Sequence, residues 1–243
     1  DHTILGMEYL SGDNWLFRAE TYYKHFENLI TLKQGELFTE DEDQLQFTPF
    51  NEFYDTRAYA YGLELLVKKT AGRIRGWVGY TYAETNRHIK KHGWYQPKYD
   101  RTHTLNIVGD LEIRDGLHFS TSLQAASGQP FTPPVGRYDQ WYAQHGAFGH
   151  YWTYNPGFLV DDKNSARLSP YFRLDIGLKQ NKTFYGLPYQ RFFQLVNVTN
   201  HINPLTHQYR NKTNRLTGET LGLERAEVPM FPFFFTMGFR IEF

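Results

Sequence analysis

The sequence predicts an all-β fold, a transmembrane antiparallel β-barrel, on three observations. The first is the C-terminal run 231–243, where Phe233, Phe235, Met237, Phe239, Ile241 and Phe243 alternate with Thr236, Gly238, Arg240 and Glu242. A period of two sends the two sets to opposite faces of a strand. At about 3.3 Å per residue the apolar set covers about 20 Å, close to the apolar band of an outer-membrane barrel. The second is aromatic content: 20 Phe, 18 Tyr and 5 Trp make up 18% of the chain. Amphipathic rings favour the headgroup level, and barrels carry them as girdles at both interfaces. The third is the alternation of tight turns with long polar stretches. Long structureless loops are uncommon in globular domains, whereas outer-membrane barrels pair short periplasmic turns with long extracellular loops.

Each element follows in order. Thr3–Leu10 is extended and meets the turn Ser11-Gly12-Asp13-Asn14. From Trp15 to about Ile30, Trp15, Phe17, Ala19, Thr21 and Tyr23 alternate with Leu16, Arg18, Glu20, Tyr22 and Lys24. A long polar loop is expected over about 31–55. The third strand, about 56–68, sets Tyr59, Tyr61, Leu63, Leu65 and Val67 against Ala58, Ala60, Gly62 and Glu64. A turn ending at Gly72 leads to a fourth strand at about 74–85. The fifth, about 101–113, carries Leu105, Ile107, Leu111 and Ile113 against Thr104, Asn106, Asp110 and Glu112. Beyond Arg114-Asp115-Gly116, Leu117, Phe119, Thr121, Leu123 and Ala125 alternate with His118, Ser120, Ser122 and Gln124. The longest loop is expected at about 127–168. A seventh strand sets Phe172, Leu174, Ile176 and Leu178 against Arg173, Asp175 and Lys179. A turn near 181–189 leads to an eighth strand, about 190–200, with no readable phase, and a loop at about 201–227 leads to the terminal strand.

In this phase Arg18, Glu20, Lys24, Glu64, Asp110, Glu112, Arg173, Asp175, Lys179, Arg240 and Glu242 share the polar side, which a barrel turns to its lumen. A β-sandwich with its polar face to water gives the same alternation. Large aromatics near the strand ends, and strands longer than the usual 5–6 residues, favour the barrel. About nine strands, beginning in an outer loop, make an odd count. Single-chain bacterial barrels have an even one, so a part of a larger barrel is expected.

Composition narrows the function. The chain has 26 basic and 26 acidic residues and formal net charge +0, which argues against a nucleic-acid partner. It has no cysteine, which removes disulfides, thiolate nucleophiles and cysteine-type zinc sites. Mean hydropathy is −0.61, and no apolar run reaches the length of a spanning helix. Nothing at Asp1 resembles a signal peptide, which export would have removed.

The stretch 127–168 is the best ligand candidate. It holds Tyr138, Trp141, Tyr142, His145, His150, Tyr151, Trp152 and Tyr154, whose ring faces suit sugars, catechols or flat molecules. The competing reading is that these rings pack the loop onto its neighbours. His145 and His150 lack a carboxylate or thiol at ligand spacing, so no metal is expected. Glu40, Asp41, Glu42 and Asp43 suit a solvated loop tip better than a calcium site. Asp100, Arg101 and His103 suggest a charge relay, but no nucleophile signature accompanies them. An interface role at a strand entry is expected, with no catalytic residue and no cofactor.

Several segments resemble the C-terminal barrel of TonB-dependent outer-membrane receptors, especially those of Bacteroidetes-type bacteria. They are Ala19-Glu20-Thr21-Tyr22-Tyr23-Lys24 with Asn28-Leu29-Ile30, Ala60-Tyr61-Gly62-Leu63-Glu64-Leu65, and Gly76-Trp77-Val78-Gly79-Tyr80-Thr81-Tyr82-Ala83. Asp100-Arg101-Thr102-His103-Thr104-Leu105-Asn106, Ser127-Gly128-Gln129-Pro130-Phe131-Thr132-Pro133 and Tyr171-Phe172-Arg173-Leu174-Asp175-Ile176 follow. Asn197-Val198-Thr199-Asn200 and Gly238-Phe239-Arg240-Ile241-Glu242-Phe243 complete the set. The resemblance implies a 22-stranded barrel around an N-terminal plug, of which residues 1–243 would supply about the last nine strands. It implies nutrient import across the bacterial outer membrane, with the plug, the TonB box and the earlier strands lying outside this chain. The implied partners are the remainder of the receptor, TonB acting through the plug, outer-membrane lipid and, as an open case, a surface lipoprotein lid. Two other classes remain: a small outer-membrane barrel enzyme, and a soluble aromatic-rich β-sandwich that binds carbohydrate.

Overall fold

The computed structural model describes residues 1–32, 53–90, 93–146, 149–213, 216 and 220–241. Among them every regular element is a β-strand and every ladder is antiparallel. In chain order the strands begin β1 (His2–Ser11), β2 (Trp15–Leu32), β3 (Phe53–Lys69), β4 (Ile74–Ile89), β5 (Gly93–Tyr95) and β6 (His103–Arg114). They continue β7 (Leu117–Ala126), β8 (Pro130–Phe131), β9 (Pro134–Gly146), β10 (Gly149–Val160) and β11 (Ala166–Arg167). The last are β12 (Tyr171–Phe184), β13 (Leu187–Val196), β14 (Pro204–Thr213), β15 (Thr220–Pro229) and β16 (Phe234–Ile241).

Nine of these follow one another across a single sheet, β1-β2-β3-β4-β6-β7-β12-β13-β16, with β5 added at one end of β4. The short hairpins lie at one end. Gly116 (φ 69°) closes β6–β7, and Tyr185 and Gly186 (φ 49° and 81°) form the two-residue turn of β12–β13, the positive-φ pair that matches strand twist. The long connections lie at the other end and carry three two-stranded pieces, β8–β11, β9–β10 and β14–β15. β1 pairs only with β2, and β16 only with β13, so both edges of the sheet are open among the described residues.

Registers extend the two faces across the whole sheet, because directly opposed residues share a face. One face carries Leu5, Met7, Phe17, Leu63, Leu65, Val78, Ile107, Leu123, Leu174, Phe193, Met237 and Phe239. No described residue covers its margins: Leu5 is 72% exposed, Met7 71%, Met237 66% and Phe239 77%. Among the described residues of the main sheet the buried apolar side chains are Ala58, Ala60, Ile89, Tyr95 and Val196, and register places these on the opposite, polar face. That inversion of the usual globular arrangement is the main structural finding.

The structure corrects four expectations. Residues 127–168 are not an irregular loop. They contain the β9–β10 hairpin, in which His150 opposes His145 and Tyr154 opposes Trp141. The expected loop at 201–227 is likewise a hairpin, β14–β15. Neither ribbon belongs to the main sheet, so neither has the one-sided alternation that betrays a strand. The turn expected near 181–189 is only Tyr185-Gly186, because polar Asn181-Lys182-Thr183 continues the ladder with Gln190, Tyr189 and Pro188. The expected loop at 31–55 is strand at its two margins, to Leu32 and from Phe53, and its body lies outside the described residues.

Candidate functional site

The polar face gathers the charged residues as expected. Arg18, Glu20, Lys24, Glu64, Asp110, Glu112, Arg173, Asp175, Lys179 and Arg240 all fall on it by register, and Glu242 lies outside the described residues. Leu66, Trp77, Val108 and Phe192 share this face. Three ionic groups punctuate it. Arg18 Nη2 donates to Glu8 Oε2 at 2.7 Å. Arg75 Nη2 donates to Asp110 Oδ1 at 2.8 Å, and His118 Nδ1 stands 3.1 Å from the same oxygen. Arg173 grips Asp175 through Nε and Nη2 at 2.9 and 2.6 Å, while the Asn197 amide donates to Asp175 Oδ1 at 2.9 Å. Glu20 and Glu64 oppose each other across β2–β3, a like-charge pairing that costs stability.

At the long-connection end a second network ties distant segments together. Asp100, buried, accepts the Thr85 amide at 2.9 Å and Arg167 Nη2 at 2.7 Å. Arg167 also donates to the Gly128 carbonyl at 2.8 Å and to Gln96 Oε1 at 2.6 Å. Asn164 adopts φ 57°, donates its backbone amide to Thr132 Oγ1 at 2.9 Å and its Nδ2 to the Gln96 carbonyl at 2.7 Å. A Cβ at Gly128 would overlap the Leu168 carbonyl, so only glycine lets these two backbones approach so closely.

Asp100, Arg101 and His103 do not converge. Arg101 lies over the Tyr171 ring at 5.5 Å, and His103 Nδ1 meets the Tyr80 hydroxyl at 2.8 Å on the apolar face. Each instead contacts a neighbouring strand or segment, Asp100 through Thr85 and Arg167, Arg101 through Tyr171 and His103 through Tyr80. Tyr138 and Trp141 are exposed on β9. For Tyr142, His145, His150, Tyr151, Trp152 and Tyr154 the backbone register is defined, and their side chains lie outside the described residues. Glu40, Asp41, Glu42 and Asp43 also lie outside them. No group of three His, Cys, Asp or Glu side chains able to hold a metal occurs among the described residues.

Beside the Asp100–Arg167 network is a cleft of about 610 Å³ between the β8 segment and the β14–β15 hairpin, with Lys98, Phe131, Leu168, His207, Tyr209 and Arg210 in its lining. Burial raises the Tyr209 phenol above its ordinary range, against the opposing pull of Arg225. Near this end, burial and then the positive charges of Arg87 and Lys98 hold the Lys163 ammonium below the ordinary lysine range. Arg167, Asn164 and His207 were invisible to sequence reading. The contacts of Arg167 and Asn164 with Gln96 span 71 and 68 positions, and no local period records such pairings.

The described residues form an all-β protein with an antiparallel ten-stranded sheet that is mainly apolar on one face and mainly charged on the other. No protein-family model matches the chain, and no curated protein matches it.

Proposed function

We propose that this chain is the C-terminal part of a bacterial outer-membrane β-barrel, within a TonB-dependent transporter that captures a scarce nutrient at its long connections and imports it. One observation carries the membrane reading: among the described residues an uncovered, largely apolar face extends across nine strands, broken by Glu84 and Arg191, while most charged residues take the opposite face. In water such a face is far larger than the few hundred Å² that soluble monomers expose. Against hydrocarbon it is the stable arrangement. A sandwich would need a second sheet over it, and among the described residues none covers Leu5, Met7, Met237 or Phe239.

Two aromatic belts bracket the band. Near the short turns, Trp15 stacks on Phe17 at 6.0 Å and Tyr9 lies 6.2 Å from Phe17. Near the long connections, Tyr59, Tyr61 and Tyr82 cluster with Trp94 at centroid separations of 5.0 to 6.3 Å. Trp15 to Tyr23 on β2 covers about 26 Å along the strand at about 3.3 Å per residue. With strands tilted by about 40° that becomes about 20 Å of membrane, near the usual apolar height of about 25 Å.

Both sheet edges are open, and unpaired strand edges are not tolerated in hydrocarbon. Further strands of the same barrel would satisfy β1 and β16. The transporter assignment itself rests on the sequence resemblance. It predicts that the coding sequence upstream of Asp1 supplies a plug, a TonB box and the earlier strands. It also predicts that the intact protein fractionates with the outer membrane and supports uptake only when TonB is present. Recovery in the soluble fraction without detergent would contradict the membrane reading, and TonB-independent uptake would contradict the transporter reading.

A further inference from the structure

The cleft between β8 and β14–β15 contains an unusual side chain. His207 is 4% exposed, and neither ring nitrogen has a hydrogen-bond partner. Nε2 lies 3.4 Å from Glu227 Oε1 in a geometry that makes no hydrogen bond. The ring abuts Phe131 edge-on at 4.8 Å, and both residues line the cleft. Burying a polar group without a partner costs about 1–3 kcal/mol, so a ligand that satisfies the imidazole recovers that cost on binding.

The lining also has a sign. Lys98 and Arg210 contribute positive charge, and no aspartate or glutamate is among the described lining residues, although the Glu227 carboxylate stands 3.4 Å from His207 behind that lining. Arg210 is already engaged with Glu224 at 3.1 Å, which leaves Lys98 as the cation able to turn to a ligand without breaking that pair. Two further cations lie at the same end, Arg87 with its Nε buried and unpartnered and Lys163 4.7 Å over the Tyr95 ring. The remaining wall is apolar and aromatic, with Phe131, Val160, Leu168 and Leu205. A volume of about 610 Å³ falls in the range of small-molecule sites.

We propose that this cleft binds an organic anion with an apolar body, its carboxylate or phosphate head taking a hydrogen bond from His207 and the charge of Lys98. A neutral imidazole always retains one N–H donor, and both nitrogens donate once it is protonated. The apolar body lies against Phe131 and Leu168. The proposal deepens the transporter reading, since the cleft sits at the long-connection end, and it names the chemical class that site takes.

The test is isothermal titration of the intact protein in lipid nanodiscs, with empty nanodiscs as the blank. Four probes share one apolar body: 4-phenylbutyrate, 4-phenylbutyl phosphate, 4-phenylbutanol and 4-phenylbutylamine. The two anions are expected to bind about tenfold more tightly than the amine, and the tighter of them identifies the head group. His207→Phe keeps a flat ring and removes both nitrogens. It is expected to weaken the anions about tenfold, the loss of one charge-assisted hydrogen bond, and to leave the alcohol unchanged, which reports an intact cleft. Lys98→Met should weaken the anions and strengthen the amine. Equal binding of anion and amine, undiminished anion binding by His207→Phe, or no binding by any probe would each overturn the proposal. None of these results touches the membrane reading, which is decided at the strands.

Discussion

Asp175→Ala is the substitution whose cost the structure defines best. The carboxylate is 8% exposed and holds two groups at once, the Arg173 guanidinium and the Asn197 backbone amide. Removing one partner of a fully buried pair costs about 3–5 kcal/mol. The Arg173 side chain is about a third exposed, so water recovers part of that cost. The Asn197 amide, on a residue 1% exposed, then loses its acceptor, at about 1–3 kcal/mol. Together these place the net loss near about 3 kcal/mol. Asp175→Asn keeps an oxygen for the Asn197 amide and loses only the charge pairing, so about 1–2 kcal/mol is expected. Denaturant unfolding of the intact protein in detergent micelles, extrapolated to zero denaturant, measures both. A loss below about 0.5 kcal/mol for Asp175→Ala, in the range of an ordinary surface change, would refute the reasoning.

Other outcomes follow from the same geometry. Leu123→Arg puts a charge on the apolar face and should cost about 2–4 kcal/mol near the midplane, whereas Gln124→Arg on the polar face should cost far less. The same unfolding assay in liposomes compares them. Gly128→Ala forces a methyl group into the Leu168 carbonyl and should destabilise by about 1–3 kcal/mol, as overpacking does. It should also release the Asp100–Arg167 contact, visible as faster proteolysis of the β8–β11 segment. Lys163 should titrate below the other lysines when the protein is reductively ¹³C-methylated and followed by NMR. Its folded pKa lies below the unfolded one, so the folded state binds this proton less well. Stability from this group therefore rises as pH climbs through the folded pKa toward about 10.4, the ordinary lysine value.

Main-sheet strands were legible because one face had to be apolar at every second position. Where that rule held, as in β7 with Leu117, Phe119, Leu123 and Ala125, the expected and observed boundaries nearly coincide. β13 could not be phased for a specific reason: Arg191 sits on the apolar face, held by Gln180 Oε1 at 2.8 Å from its Nε, while Phe192 sits on the polar one. The hairpins β9–β10 and β14–β15 escaped because two-stranded ribbons outside the main sheet need no one-sided pattern. The charged face was readable residue by residue. Its contacts were not, because Asp175 meets Asn197 and Asp100 meets Arg167 only after strands and connections bring them together. His207 had no signal at all, since its significance lies in what fails to touch it.

Since the chain has no cysteine, single cysteines can be placed at Leu65, Leu123 and Met237, and at the polar-face neighbours Glu64, Gln124 and Arg240, each carrying a nitroxide in the membrane-inserted protein. Collision with oxygen, which concentrates in hydrocarbon, and with a water-soluble nickel chelate then reports the surroundings of each site. The account predicts oxygen-dominated relaxation at the first three positions and nickel-dominated relaxation at the last three. Nickel access at Leu65, Leu123 and Met237 equal to that of their neighbours would mean that both faces meet water, and the membrane assignment would fall.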